Sequence, residues 1–257
     1  MASKKGQTMC IFSSKGGVGK TTTLVNLAGI YKTLNKKVLL IDLDLYGGGI
    51  SLALKKKVDT TIFNLVDDFA NNRYKDFKDY VTSYNDYIDV LSAPKDPRQA
   101  NLIDSRYINA IIDRASYLYD MVLIDTNTVL DENNLTVLDK VDRILFVMNN
   151  DPFDVKNMKS LLSIFNELEI TKYKILLNDS RDPFKDYFSL YDIRNVINAN
   201  VDYNISSSMY LKDMENYVMA GKIITLEPKV ATVFSKDYNT FMTIALDLMK
   251  SGDIDGK

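Results

Sequence analysis

The sequence predicts an α/β protein, a single doubly wound and mostly parallel sheet with helices on both faces. Three observations carry that expectation. Short continuous apolar runs recur along the chain, helical periods lie between them, and the first run passes through a glycine-rich turn into a helix. Runs without polar alternation suit strands buried on both faces of a parallel sheet. Strand and helix alternating along one chain is the doubly wound pattern.

The elements follow in order. "MCIF" (Met9–Phe12) is the first strand, and the helix after it places Leu24, Leu27, Ala28, Tyr31 and Leu34 at the i, i+3, i+4, i+7 spacing of one buried face. "KVLLID" (Lys37–Asp42), "YIDVLS" (Tyr87–Ser92), "DMVLID" (Asp120–Asp125), "RILFVM" (Arg143–Met148) and "KYKILL" (Lys172–Leu177) supply further strands. Ile108, Ile111, Ile112 and Ala115 mark another helix face. Residues 59–85 read as a helical, polar and peripheral insertion. The five prolines fall in apparent loops and no Gly/Ser-rich or Pro-rich linker divides the chain, so residues 1–257 are expected to form one domain with its core at about 8–249. The tail 251–257 is expected to be disordered.

Composition narrows the function classes. A chain of 257 residues, 46% hydrophobic, can bury a sizeable core. Its 32 Lys and Arg against 34 Asp and Glu give a net charge of -2, without the positive excess on which non-specific nucleic-acid binding leans. One cysteine, Cys10, and no histidine exclude an intrachain disulfide and a Cys/His metal cluster. Any general base must then be a carboxylate, lysine, tyrosine or water chain. No leader-like h-region and no run of membrane-spanning length is present, so a cytoplasmic protein is expected, recruited if at all to the inner face of the membrane or to a pole through a partner.

The first strand, turn and helix, "MCIFSSKGGVGKTTTLVNLAGIY", give the context that a phosphate loop needs. Gly16, Gly17 and Gly19 let backbone N–H groups close on phosphate oxygens, with Val18 and Thr22 completing the nucleotide-contacting set. Lys20 reaches the β- and γ-phosphates, Thr21 offers its hydroxyl to Mg2+, and the helix N-terminus adds a favourable dipole. The competing interpretation is a glycine-rich turn with incidental basic residues. The common pattern G-x(4)-G-K-[ST] requires glycine where Ser14 stands, and the loop carries a second lysine, Lys15.

Further carboxylates follow at strand ends, where doubly wound sheets bind ligands. Asp42 and Asp44, in "LLIDLDLYGGG", are two apart and emerge on one side of an extended strand, where they can hold a Mg2+ shell and a water. Helix or turn capping is the ordinary alternative for such acids. Asp125 closes "YDMVLID" at the place of a Walker B carboxylate acting on Mg2+ through water. Asn178 closes "KILLN", and its amide offers donor and acceptor together to a purine edge, although asparagine is also a frequent turn residue.

These residues carry a resemblance. "KGGVGKTT", with "LLIDLD" and "VLIDT" behind it, resembles the deviant Walker A class of ATPases, the MinD/ParA family, from about Met9 to Ile224. Within it, "VLSAPKDPRQANLID" (Val90–Asp104) and "VLDENNLTVLDKVDRILFVMNNDPFDVKNMK" (Val129–Lys159) look most like the CpaE/TadZ branch, associated with positioning and assembly of pili. The resemblance implies a P-loop NTPase fold with ATP and Mg2+ as its ligands. It implies that Lys20 contacts the phosphates, Thr21 and Asp125 organise Mg2+, Asp44 orients or activates the attacking water, and Asn178 recognises adenine. Lys15 would be the signature lysine, a cation supplied across a homodimer interface to the partner's nucleotide. ATP would then hold the dimer and hydrolysis release it.

The chain departs from that family in places. Thr126, Asn127 and Thr128 stand where many relatives have a proline pair, and Asp179 stands where many have arginine, with Arg181 two further on. "MYLKDMENYVMAGKIIT" resembles the family's helix-then-glycine stretch, but "NISSS" precedes it where proline is usual.

The leading expectation is a Mg2+-dependent ATPase that positions or regulates a cell-envelope assembly through an unidentified protein partner. The altered switch after Asp125 raises an alternative, a nucleotide-gated binding module with little hydrolysis; a DNA-partition ATPase is the third. A tyrosine kinase with a terminal tyrosine cluster does not fit, because the last of the 16 tyrosines is Tyr238. The nitrogenase iron protein shares the loop but needs two cysteines per subunit. Val233, Phe234, Phe241, Ala245 and Leu248 mark a C-terminal helix expected to pack on the core; Lys250 and Lys257 are balanced by Asp253 and Asp255, unlike a membrane-targeting segment. The triple lysine in "LKKKVD" (Leu54–Asp59) is expected to be a solvated face.

Overall fold

All six apolar runs become strands of one sheet. The computed structural model describes residues 5–179, 188–206 and 214–250. The strands are β1 (Gln7–Phe12), β2 (Val38–Leu43), β3 (Thr82–Ser83), β4 (Ile88–Leu91), β5 (Met121–Thr126), β6 (Arg143–Met148), β7 (Tyr173–Asn178) and β8 (Tyr203–Ile205). They lie in the order β3-β4-β2-β5-β1-β6-β7-β8, parallel except for β3, which runs antiparallel to β4. β3 and β8 are the two that no apolar run marks, because two and three residues are too short to show a pattern.

The helices are α1 (Lys20–Thr33), α2 (Ile50–Ala53), α3 (Ile62–Ala70), α4 (Ser105–Ser116), α5 (Glu132–Lys140), α6 (Pro152–Glu167) and α7 (Leu190–Ile197). Among the described residues three more follow, ending in the C-terminal helix Ser235–Met249. Alternation along β1 divides the core between the two faces of the sheet. Cys10 and Phe12 join a cluster with Ile62, Ile111, Val137, Phe165 and Ile193, from α3 to α7. Met9 and Ile11 join the opposite cluster with Leu24 and Leu27 of α1 and Phe241 and Ile244 of the C-terminal helix.

Three expectations need comment. α1 is buried at every residue from Thr23 to Tyr31, rather than on one face, because the turn Ile224–Leu226 and the C-terminal helix cover the side that the sheet leaves open. Residues 59–85 are not a peripheral helical insertion: Ile62, Leu65, Val66, Phe77 and Tyr80 are buried in the main core cluster, and the segment supplies the edge strand β3. Its polar composition conceals this because its few apolar side chains share one face. The C-terminal helix does pack on the core through Phe241, Ala245 and Leu248, while Val233 is exposed. Among the described residues no helix is long and apolar enough to cross a membrane. The tail 251–257 and Arg181 lie outside the described residues.

The site is positioned by topology. β1 sits between β5 and β6, where the connections reverse direction, so the loops at its C-terminal end and at those of its neighbours open onto one crevice.

Candidate active site

Residues 13–19 turn the chain from β1 into α1. Gly17 and Gly19 have φ of +77° and +97°, the left-handed region that glycine enters without a Cβ penalty. Gly19 is the N-cap of α1, with no side-chain cap and no acidic residue in the first turn. The helix thus begins with its positive end available to an anion.

The loop is pinned from several sides. Lys20 Nζ donates to Ser13 Oγ at 2.9 Å, and Ser13 Oγ donates to the Lys15 carbonyl at 2.8 Å. Ser14 Oγ donates to Asp154 Oδ1 at 3.0 Å, while Asp154 Oδ2 accepts from the Asn149 backbone N–H at 2.6 Å. The serine in place of the usual first glycine is therefore an anchor to α6. On the same side Asn178 Nδ2 donates to the Val18 carbonyl at 2.8 Å, and Asn149 Nδ2 donates to the Asn178 carbonyl at 2.9 Å. One N–H of the Asn178 amide is thereby committed to the loop, and its Oδ1 is buried without a hydrogen-bond partner. Burial lowers the Lys20 ammonium below its ordinary pKa, against the attraction of Asp125, Asp44 and Asp154.

The carboxylates collect on the other side of β1. Asp42 and Asp125 are register partners on β2 and β5. Both are buried. Thr21 Oγ1 donates to Asp125 Oδ2, and the Ile50 N–H donates to Asp42 Oδ2 at 3.0 Å. The remaining oxygen of each, Asp125 Oδ1 and Asp42 Oδ1, is buried without a hydrogen-bond partner. Burial, then the charge of Asp125, pushes Asp42 up to about 8. Burial pushes Asp125 up to about 6, against the Thr21 hydroxyl and Lys20. Two adjacent buried carboxyls with orphaned oxygens beside a threonine hydroxyl fit a hard divalent cation such as Mg2+, which takes oxygen ligands.

Asp44 departs from the pairing expected with Asp42. It lies just past β2, half-buried, where its Oδ1 accepts from the Gly47 N–H at 3.3 Å, and it lines the main cleft. Asp42 borders a separate, smaller cleft of about 310 Å3. The main cleft, about 740 Å3, is lined by every residue from Lys15 to Thr22, with Asp44, Asn127, Thr128, Asn149, Asp151, Asn178 and Asp179. Lys15 is paired with Asp151, the N-cap of α6, at 3.1 Å. Thr126 Oγ1 donates to the Ile11 carbonyl at 2.6 Å, and Asn127 Oδ1 accepts from Val129 N and Asn134 Nδ2.

The cleft thus unites Lys15, Gly16, Gly17, Val18, Gly19, Lys20, Thr21, Thr22, Asp44 and Asn178, with Asp125 behind Thr21. Asn149, Asp151 and Asp154 had no individual role in the sequence. Their signal was present in "NNDPFD", an Asx-rich turn at the end of a buried strand with an N-cap and a proline behind it.

A family described as an AAA domain matches residues 6–178 of the chain. The putative septum site-determining protein MinD of Emiliania huxleyi is 22% identical over 252 residues, 95% of this chain and 89% of that protein. The chain belongs to the MinD/ParA family of P-loop ATPases. This MinD/ParA-family chain is also 32% identical over 139 residues to the tyrosine-protein kinase YwqD of Bacillus subtilis (strain 168), spanning just over half of each, 52% of the chain and 56% of the kinase. Among solved structures, a ParA family ATPase from Chlorobium tepidum TLS superposes with a TM-score of 0.80 at 20% identity, covering 93% of this chain and 98% of that one. MinD from Pyrococcus horikoshii OT3, complexed with Mg-ADP, superposes with a TM-score of 0.76 at 20% identity, covering 95% and 96%. At these identities the superpositions establish the family's fold.

Proposed function

We propose that this chain is a Mg2+-dependent ATP hydrolase that dimerises on ATP and positions or regulates a cell-envelope assembly such as a pilus or secretion system. The observation that carries the hydrolase reading is the convergence of Lys20, Thr21 and Asp125 on a glycine loop whose buried carboxylates have oxygens without partners. The Mg-ADP complex of the archaeal MinD supports the choice of ligands. The resemblance of residues 90–104 and 129–159 to the CpaE/TadZ branch supports the cellular role.

Each residue's part follows from its place. The N–H groups of residues 16–22 bind the phosphates, and Lys20 holds a β–γ oxygen while Ser13 steadies its ammonium. Thr21, Asp125 and Asp42 would hold Mg2+, which when bound neutralises charge developing on the terminal phosphates. Asp44, in the cleft and within reach of solvent, orients the attacking water and draws on its proton. Lys15 sits at the same cleft with its side chain 41% exposed. Exchange of its Asp151 partner for a neighbouring subunit's nucleotide would make turnover depend on dimerisation.

Light scattering and phosphate release test the reading together. With Mg2+ and excess ATP the molar mass should double and phosphate should appear. Asp44→Ala should keep the dimer while turnover falls by about 10²- to 10⁴-fold, the usual worth of general-base assistance. A monomer under excess ATP in that variant would sink the ATP-held dimer.

A second reading, a nucleotide-gated module with little hydrolysis, is favoured by one observation. Asn127 in the switch after Asp125 is bound to both Val129 and Asn134, which ties down a loop that must move with the γ-phosphate in a working switch. ATP-dependent dimerisation without phosphate release would select it.

A further inference from the structure

The loop that carries Asp44 is a tight turn closed on that residue. The Gly47 and Gly48 N–H groups donate to the Asp44 carbonyl at 3.1 and 2.8 Å, and Gly48 takes a φ of +52°. A Cβ at Gly47 would lie 2.5 Å from Asp44 Oδ2, so the absent side chain leaves the carboxylate its room. Tyr46, on the same turn, lines the smaller cleft of about 310 Å3 with Gly47 and Gly48, facing Ala93, Pro94 and Pro97 of the segment after β4. Its hydroxyl joins the two segments by donating to Asn101 Oδ1 at 2.6 Å.

Asn101 leads on to the other loop of the main cleft. It belongs to the turn Pro97–Leu102, which Asp96 caps by accepting from the Arg98 N–H. The residues just after the turn meet the start of α5: Asn133 Nδ2 donates to the Ile103 carbonyl at 3.2 Å, and Ser105 Oγ donates to Glu132 Oε1 at 2.7 Å. Asn134, next along α5 and buried, donates from Nδ2 to Asn127 Oδ1 and to the Val129 carbonyl, both at 2.6 Å. Asn127 lines the main cleft, as Asp44 does. Hydrogen bonds and short backbone steps thus run unbroken from one loop to the other.

We propose that Tyr46 is a positioning residue: through Asn101 it ties the loop carrying Asp44 to the loop after Asp125, so that the two shift together when the cleft is occupied. The inference rests on the nucleotide reading above and deepens it, by naming what couples the carboxylate that orients the water to the loop on the far side of Thr21. Tyr46 touches no nucleotide in this account. Its hydroxyl acts at a distance because each link is a directed hydrogen bond between segments that are themselves pinned. Tyr46 is 57% exposed and Asn101 is exposed too, so water replaces a partner lost from either end and the variants below keep the fold.

Hydrogen–deuterium exchange of the full chain, read by mass spectrometry, tests the tie. The Val129 N–H donates to Asn127 Oδ1 and the Asn134 N–H to Asp131 Oδ1, so both amides report on the loop after Asp125. Without nucleotide, Tyr46→Phe and Asn101→Ala should each speed exchange of these amides by roughly 3- to 10-fold, the worth of one net hydrogen bond, and the double variant should do no more than either alone. Ser51→Ala, which breaks a 2.6 Å hydroxyl contact with Ser92 beside the same cleft, should leave them unchanged. In phosphate release, Tyr46→Phe should lower kcat by a similar factor with the KM for Mg-ATP in place, because no phosphate contact is altered. Unchanged exchange at Val129 and Asn134 in Tyr46→Phe overturns the proposal, as do additive effects in the double variant, an equal rise in Ser51→Ala, or a raised KM at constant kcat. The exchange comparison needs no nucleotide, so failure of Mg-ATP to bind removes the nucleotide reading while the tie stands or falls on its own.

Discussion

Two lysines with different surroundings, Lys15 and Lys20, share one short loop. Lys20 points inward to Ser13 and the carboxylates, whereas Lys15 points to the cleft's rim and Asp151. Lys20→Ala should therefore weaken nucleotide binding by roughly 10- to 100-fold, because it removes a charge-assisted bond to phosphate. Lys15→Ala should leave affinity in place and lower turnover by about 10³-fold or more, as loss of a cation supplied in trans does. Equal loss of binding in both variants, measured by fluorescent-nucleotide titration, would contradict the division. Cys10 illustrates the opposite case, a reactive residue type made inert by position. Its thiol is fully buried in β1, and burial pushes it up to about 12 despite Lys172. Thiolate is the nucleophile, so Ellman's reagent at pH 8 should find no thiol in the folded chain and one after denaturation. Fast labelling of the native protein would show that β1 opens readily.

At the scale of elements, α1 couples the phosphate loop to the C-terminal part of the chain. Asn26 Oδ1 accepts from the Thr225 N–H at 3.0 Å, and Thr225 Oγ1 donates to the Asn26 carbonyl at 2.7 Å. Gly29, one turn on, permits this approach: a Cβ there would lie 2.3 Å from Thr225 Oγ1 and 2.6 Å from Ile223 Cγ2. Gly29→Ala gains about 1 kcal/mol of helix propensity but forces both neighbours away, and overpacking of that kind costs about 1–3 kcal/mol before the hydrogen bonds are lost. The expected net effect is destabilisation, read as a lower Tm by scanning fluorimetry. A Tm equal to or above that of the unmodified chain would mean that the segment around Thr225 yields without cost. The helix-then-glycine resemblance at Met209–Thr225 thus ends in a segment, Ile223–Thr225, that packs directly on the phosphate helix, although its first residues lie outside those described.

For the whole molecule, charge and topology set the expectations. A net charge of -2 predicts no salt-sensitive, ATP-dependent shift of DNA mobility; a clear shift at low salt that vanishes with added salt would promote the DNA-partition reading. The doubly wound sheet was legible because a strand buried on both faces must be apolar throughout, so each of its six principal strands announces itself without knowledge of its neighbours. The phosphate loop was legible for a related reason, since backbone closure on an anion limits the residue types at successive positions. β3 and β8, and the inward turn of Phe77 and Tyr80, were not legible, because two- and three-residue strands and sparse apolar faces gain meaning only from the surface they meet. The sequence alone thus determined the strand-loop-helix core, the glycine-rich turn of residues 15–22 and the acids at strand ends. Tertiary structure alone decided which groups meet: Lys15 with Asp151, Ser14 with Asp154, Asp42 against Asp125, and the Asn178 amide with the Val18 carbonyl of the loop. Those pairings join residues up to 160 positions apart, and their geometry is fixed by strand order and register, which no local pattern encodes.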